Sequence, residues 1–198
     1  MKAAKALLVD LDGTLVDTKE ANYRAYAAAL AGVEVTLDRD WWTARADGRN
    51  WRQFLPELLA GSPSAKPELV AAEKARLYPF MLEHTRLNEA LASLIASARP
   101  GLRTALVTTA SRGNVAAVLA HHDVASLFDT IVTGSDVEHH KPAPDAYLLA
   151  ASRLAVAPGD CIAFEDMEIG ERAALAAGAR CVRVRFAPGR TGAPGNRP

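Results

Sequence analysis

Five short apolar runs alternate with helix-like patterns, and this alternation constrains the chain more than any other feature. The runs are KALLVD (5–10), RTALVTT (103–109), TIVTG (130–134), CIAFED (161–166) and CVRVRF (181–186). Apolar runs this short, bounded by turn residues, read as strands buried on both faces. The helical patterns are NEALASLIASA (88–98), SRGNVAAVLAHH (111–122), PDAYLLAASRL (144–154) and EIGERAALAAG (168–178), the last closing on Gly178 as a C-cap residue. Strands alternating with helices predict an α/β fold, a parallel sheet covered by helices on both faces.

Residues 16–85 break the rhythm and read as helices with no convincing strand. Asp17 and Glu20 have the spacing of a capping box, and Tyr23, Tyr26, Ala27 and Leu30 follow at helical intervals. WRQFLPELLAG and PELVAAEKARLYPFMLEH are further helix candidates, with Pro56 and Pro79 expected to kink or end them. The expected organisation is therefore a core from 1–15 and 86–198 with an α-helical module at 16–85 inserted after the first strand. The tail from 187 to 198, rich in Pro, Gly and Arg, reads as a mobile end.

Lys plus Arg equals Asp plus Glu at 23 each, so no global positive field exists to hold nucleic acid or an anionic membrane. No run approaches a membrane span in length, and Asp10 ends the opening apolar stretch too early for a signal peptide. Cys161 and Cys181 both fall in strand runs and read as buried free thiols; a chain of 198 residues does not need a disulfide. These features predict a cytoplasmic protein, without nucleic-acid or membrane partners.

The chemistry gathers where strands end. The first run places Asp10 and Asp12 one residue apart and follows them with Gly13 and Thr14; the second ends in Thr108 and Thr109; the fourth ends in Glu165 and Asp166; Lys141 follows the third. In an open parallel sheet, ligands bind beyond the carboxyl ends of the strands. Each feature has a bland alternative: strand threonines, a surface lysine, an acidic helix start. Together they describe something narrower. Carboxylates converging on one edge repel one another and raise each other's pKa. A hard divalent cation relieves that repulsion, and oxygen ligands with room for water suit Mg²⁺. A lysine, a threonine hydroxyl and the helix that opens at Ser111 then suit a phosphate group.

At these residues the sequence resembles the haloacid dehalogenase superfamily. Asp10-Leu11-Asp12-Gly13-Thr14-Leu15, Val107-Thr108-Thr109, Lys141-Pro142, and Glu165-Asp166 with Gly170 stand in the order and spacing of its four motifs. The resemblance implies a Rossmann-like core, and a small helical cap of the kind found in the phosphoglycolate phosphatase and β-phosphoglucomutase branch. It implies Asp10 as nucleophile and Asp12 as the acid and base of the reaction. Thr108, Thr109 and Lys141 would bind phosphate. Asp10, the Asp12 backbone carbonyl and Asp166 would ligate Mg²⁺, with Glu165 ligating or supporting it. Because Asp12 is present, dehalogenation, which needs no acid for its leaving group, is not expected. Two positions depart from the common pattern: Met167 where serine often follows the fourth motif, and HTRLNEAL where Pro-Gly often precedes the helix leading to the second.

Within the expected cap, ADGRNWRQF (46–54) reads as a substrate loop, because Gly48 interrupts the helical pattern beside Arg45, Arg49 and Arg52, and Arg49 is the candidate substrate contact. Its alternative is a solvated helix charge. Trp41, Trp42 and Trp51 read as packing residues of the cap. The expected activity is a Mg²⁺-dependent phosphatase acting on a small phosphorylated metabolite through an aspartyl-phosphate. A sugar phosphomutase and a non-catalytic phosphoester-binding protein are the alternatives, and the expected assembly is a monomer or small homo-oligomer.

Overall fold

The computed structural model describes residues 3–46, 49–62 and 64–186. The segment read as a mobile tail, 187–198, lies outside the described residues, as does Gly48. The five apolar runs form one parallel sheet. Its strands are β1 (Ala6–Val9), β4 (Arg103–Val107), β5 (Thr130–Val132), β6 (Cys161–Glu165) and β7 (Arg180–Arg183), in the order β5-β4-β1-β6-β7. The Rossmann-like α/β expectation is borne out.

Strand geometry explains why these runs are continuously apolar. Successive side chains point to opposite faces, and both faces are covered. Leu7 and Val9 pack with Leu91 and Ile95 of α5 (Glu89–Ala98) and with Val115, Val118 and Leu119 of α6 (Arg112–His121). Ala6 and Leu8 pack on the other face with Ala146 and Ala150 of α7 (Asp145–Arg153) and Ala173 and Ala174 of α8 (Glu168–Ala176). α8 stops as read, with Gly178 just beyond it at a φ of 90°, in the left-handed region. Both cysteines are free thiols.

Residues 16–85 are predominantly helical: α1 (Lys19–Ala31), α2 (Arg39–Arg45), α3 (Trp51–Leu58) and α4 (Pro67–Leu77), followed by a 3-10 turn from Tyr78 to His84. They hold a core of their own, in which Tyr26, Trp42 and Phe54 meet with ring centroids 5.2 to 5.7 Å apart, the spacing aromatic pairs prefer. Trp42 is thus a packing residue. Among the described residues no helix is long and apolar enough to cross a membrane.

Three local expectations are corrected. This stretch does contain a strand: β2 (Val16–Asp17) pairs antiparallel with β3 (Arg86–Leu87), so a short ribbon joins the two ends of the helical stretch. A two-residue strand has no periodicity to read. Asp17 and Glu20 do not form a capping box. The N-cap is Thr18, without a side-chain cap, because its hydroxyl is bonded to Asp12, while Glu20 is drawn to Arg24 and Arg39. Pro56 does not end α3 where it stands, since the helix runs on to Leu58; Pro79 does fall where α4 gives way to a 3-10 turn.

Candidate active site

The sheet's register brings the acids together. Val9 is level with Leu106 on one side and Phe164 on the other, so the next residues, Asp10, Val107 and Glu165, lie side by side at the carboxyl edge. The Asp10 backbone N–H still donates to the Phe164 carbonyl at 3.0 Å, which ties the acid to the end of the ladder. Asp10, Glu165 and Asp166 each offer a carboxylate oxygen within 4.8 Å of the others.

Lys141 reaches this edge from the loop between β5 and α7, where the Lys141–Pro142 peptide is cis. Its side chain is 4% exposed. Nζ donates to Asp10 Oδ1 at 2.6 Å, Glu165 Oε1 at 2.6 Å and the Val107 carbonyl at 3.0 Å, so all three ammonium protons have acceptors. Burial alone would lower its pKa, but Asp10 and Glu165 outweigh burial and hold the lysine charged. Asp10 is shifted upward by burial and by the charge of Glu165, against the pull of Lys141. Asp166 is pushed up to about 6 by burial and Glu165. One ammonium facing three carboxylates leaves negative charge unbalanced in a buried place. That donor set, all hard oxygens, fits a divalent cation.

Gly13 makes this approach possible. Its φ of 81° suits glycine, and a Cβ there would run into the Asp166 carboxylate. Asp12 is half-buried and stands apart from the three clustered carboxylates. Thr18 donates to its Oδ1 at 2.5 Å, and the buried Thr108 hydroxyl makes a long contact to Oδ2 at 3.5 Å. The Thr108 oxygen also accepts from the Ala110 N–H at 3.1 Å. Ser111 caps α6 by accepting from Asn114 N, which starts the helix directly after the threonines.

The remaining candidates fall elsewhere. Thr109, next to Thr108 in sequence, is exposed. Arg49 is exposed and donates through Nη1 to the Arg45 carbonyl at 2.5 Å. An open cleft of about 380 Å³ lined by Asp17, Lys19, Glu20, His84 and Arg86 runs along the β2–β3 ribbon; the charge of Lys19 is felt at Asp166.

Four residues that sequence reasoning did not single out, Thr18, Asn22, Lys74 and Tyr147, join the network. Asn22 donates to the Thr18 hydroxyl at 3.2 Å and accepts from Lys74 Nζ at 2.7 Å, extending the chain of contacts from Asp12 into α4. Lys74 sits 4.2 Å from the Tyr78 ring centroid and 5.2 Å from that of Tyr26, and burial brings its pKa down to about 8. The signal for it was available: Val70, Lys74 and Tyr78 recur every four residues, which puts a lysine on a buried stripe. Tyr147 donates to Glu165 Oε1 at 2.5 Å. A tyrosine in the apolar pattern of a core helix needs a partner for its hydroxyl, and the pattern alone does not name it.

A parallel sheet with this edge defines a class of protein, and comparison supplies its family. Residues 4–178 match the haloacid dehalogenase-like hydrolase family, and the chain belongs to it. The expected family and the hydrolase class are borne out, with named phosphatases among the relatives. The chain is 34% identical over 181 residues to fructose-1-phosphate phosphatase YqaB of Escherichia coli (strain K12), covering 91% of this chain and 96% of that protein. It is similar to the crystal structure of CbbY from Rhodobacter sphaeroides in complex with phosphate, with a TM-score of 0.82 and 31% identity over 96% of this chain and 90% of that one. A β-phosphoglucomutase from Clostridium difficile shares the fold at a TM-score of 0.74 and 23% identity, over 91% of this chain and 84% of that one.

Proposed function

We propose that this protein is a Mg²⁺-dependent phosphatase that hydrolyses a small phosphorylated carbohydrate through an aspartyl-phosphate on Asp10. The observation that carries the reading is a buried Asp10 held at 2.6 Å by the Lys141 ammonium inside a cluster of carboxylates, with a second acid, Asp12, two residues along the chain. The named sugar-phosphate activity of a relative 34% identical supports the substrate class.

Asp10 attacks phosphorus while ionised, a state that Lys141 favours against burial. The bond from phosphorus to the ester oxygen breaks, and Asp12 as the carboxylic acid gives its proton to that leaving oxygen. Asp12, now a carboxylate, takes a proton from water as the water oxygen attacks phosphorus, and Asp10 is released with inorganic phosphate. Thr18 holds the Asp12 carboxyl group in place through both steps. Lys141 and Thr108 offer donors where charge builds on the phosphoryl oxygens. Asp10, Asp166, the Asp12 backbone carbonyl and Glu165 would hold Mg²⁺, which when bound would neutralise phosphoryl charge. Residues 16–85 act as a cap that excludes water and meets the leaving group, and the enzyme works in the cytoplasm.

The test is phosphate release from a panel of sugar and polyol phosphates with Mg²⁺. Release that disappears in Asp10→Asn is the expected result. No release from any phosphomonoester, or wild-type turnover by Asp10→Asn, overturns the reading. Isomerisation of a hexose 1-phosphate faster than its hydrolysis would make the enzyme a phosphomutase instead.

A further inference from the structure

Glu165 has more partners than a metal ligand needs. Its Oε1 accepts from Lys141 Nζ at 2.6 Å and from the Tyr147 hydroxyl at 2.5 Å. On another side its carboxyl group presses on Gly170, where a Cβ would overlap the carboxyl carbon and both oxygens. Three elements therefore clamp one carboxylate: the Lys141 loop, α7 through Tyr147, and α8 through Gly170. Glu165 is 2% exposed and Tyr147 is fully buried, so no water takes over a lost bond.

Tyr147 touches both members of the pair. Its hydroxyl holds Glu165, and its ring centroid lies 5.2 Å from Lys141 Nζ. It stands in the first turn of α7, six residues after Lys141, and so ties the loop that carries the lysine to the end of β6. The Lys141 ammonium is shared between two carboxylates at equal distance, 2.6 Å from each. A Glu165 oxygen that already accepts from Tyr147 is a weaker competitor for that ammonium than one that accepts from lysine alone.

We propose that Tyr147 is a positioning residue for phosphoryl transfer: its hydroxyl, acting through Glu165, keeps the Lys141 ammonium aimed at Asp10. This rests on the phosphatase reading above. It assigns a task to the hydroxyl alone, since a phenylalanine ring would fill the same space and keep the face toward Lys141.

The experiment compares Tyr147→Phe with wild type, alone and in a Glu165→Gln background, by phosphate release with thermal melts alongside. The expected single-variant result is a folded protein whose kcat falls about tenfold while KM stays within about twofold, the scale on which supporting contacts to a site's ligands act. In the Glu165→Gln background the same substitution should change kcat by less than about twofold, because the two residues act as one unit. A packing role would multiply through both backgrounds. Wild-type kcat in Tyr147→Phe, a loss confined to KM, a multiplied loss in the double variant, or failure of Tyr147→Phe to fold each overturns the proposal. Asp10→Asn separates the two levels. If it is inactive while Tyr147→Phe is normal, the site stands and only this inference falls; if it turns over normally, the site reading falls and takes the inference with it.

Discussion

Two lysines, both with side chains largely hidden from water, behave in opposite ways, and the regions that hold them differ accordingly. Lys141 at the sheet edge touches two carboxylates, which raise its pKa despite burial. Lys74 in the helical region has a neutral amide oxygen and two aromatic rings, and burial lowers it to about 8. Burial works against the charge on both ammonium groups; the neighbours decide the sign. At the sheet edge, charge is concentrated and locked, as catalysis on a phosphate demands. The helical region packs aromatic rings and holds Lys74, a loosely compensated buried cation linked to the site through Asn22 and Thr18.

The comparison breaks most readily at Lys141. Lys141→Met leaves Asp10 and Glu165 facing each other without a cation, and phosphate-release assays should show kcat lower by about 10³-fold, the scale for removing a donor at developing charge. If that loss is no larger than the loss in Lys74→Met, the contrast between the two lysines has no functional content. Gly170→Ala should come next. The added methyl displaces the Glu165 carboxylate, and kcat should fall by roughly 10- to 100-fold with the fold retained, as read by assay and circular dichroism.

Lys74 sharpens the comparison through pH. Its folded pKa of about 8 lies below the ordinary lysine value of 10.5, so between those values the unfolded chain binds more protons. Stability therefore rises with pH across that window, by at most about 3 kcal/mol relative to Lys74→Met, and urea unfolding of both proteins at pH 7.5 and 10 measures it. Equal pH slopes for the two proteins would show that Lys74 is not strained by burial.

The smallest effect belongs to the exposed face of α1. Glu20 is held at about 2, first by its hydrogen bond with Arg39 and then by Arg24. Because the folded pKa is depressed, that stabilisation is present above about 4.5 and is lost as pH falls toward 2. Arg39→Ala should lower stability at neutral pH by less than about 1 kcal/mol, since the pair is solvent-exposed and screened, and thermal melts in low and high salt check it.

Much of the candidate site was legible because its residues stand at the ends of strands that could themselves be recognised. Once five apolar runs are taken as one parallel sheet, Asp10, Thr108, Glu165 and Asp166 fall on a single edge. Neighbouring residues did not sort so well. Thr108 turns inward and Thr109 outward, and Arg49 is occupied by a carbonyl of its own region. The β2–β3 ribbon was missed because two residues carry no period, and the capping box failed because the N-cap is Thr18, one residue later than the spacing implied, and Glu20 is held by Arg24 and Arg39. Tyr147 and Lys74 were present as ordinary letters in helical patterns.

What the amino-acid order settled by itself is the alternation of apolar strands and amphipathic helices, and hence which edge collects the acids. That follows from local rules, since side-chain period and turn chemistry act between residues close in the chain. What only tertiary structure decided is the set of partners: Glu165 under Tyr147 and against Gly170, Thr18 on Asp12, and Lys74 between two rings. Hydrogen bonds and buried charges act over a few ångströms in space, between residues that can stand more than a hundred positions apart, as Asp10 and Lys141 do.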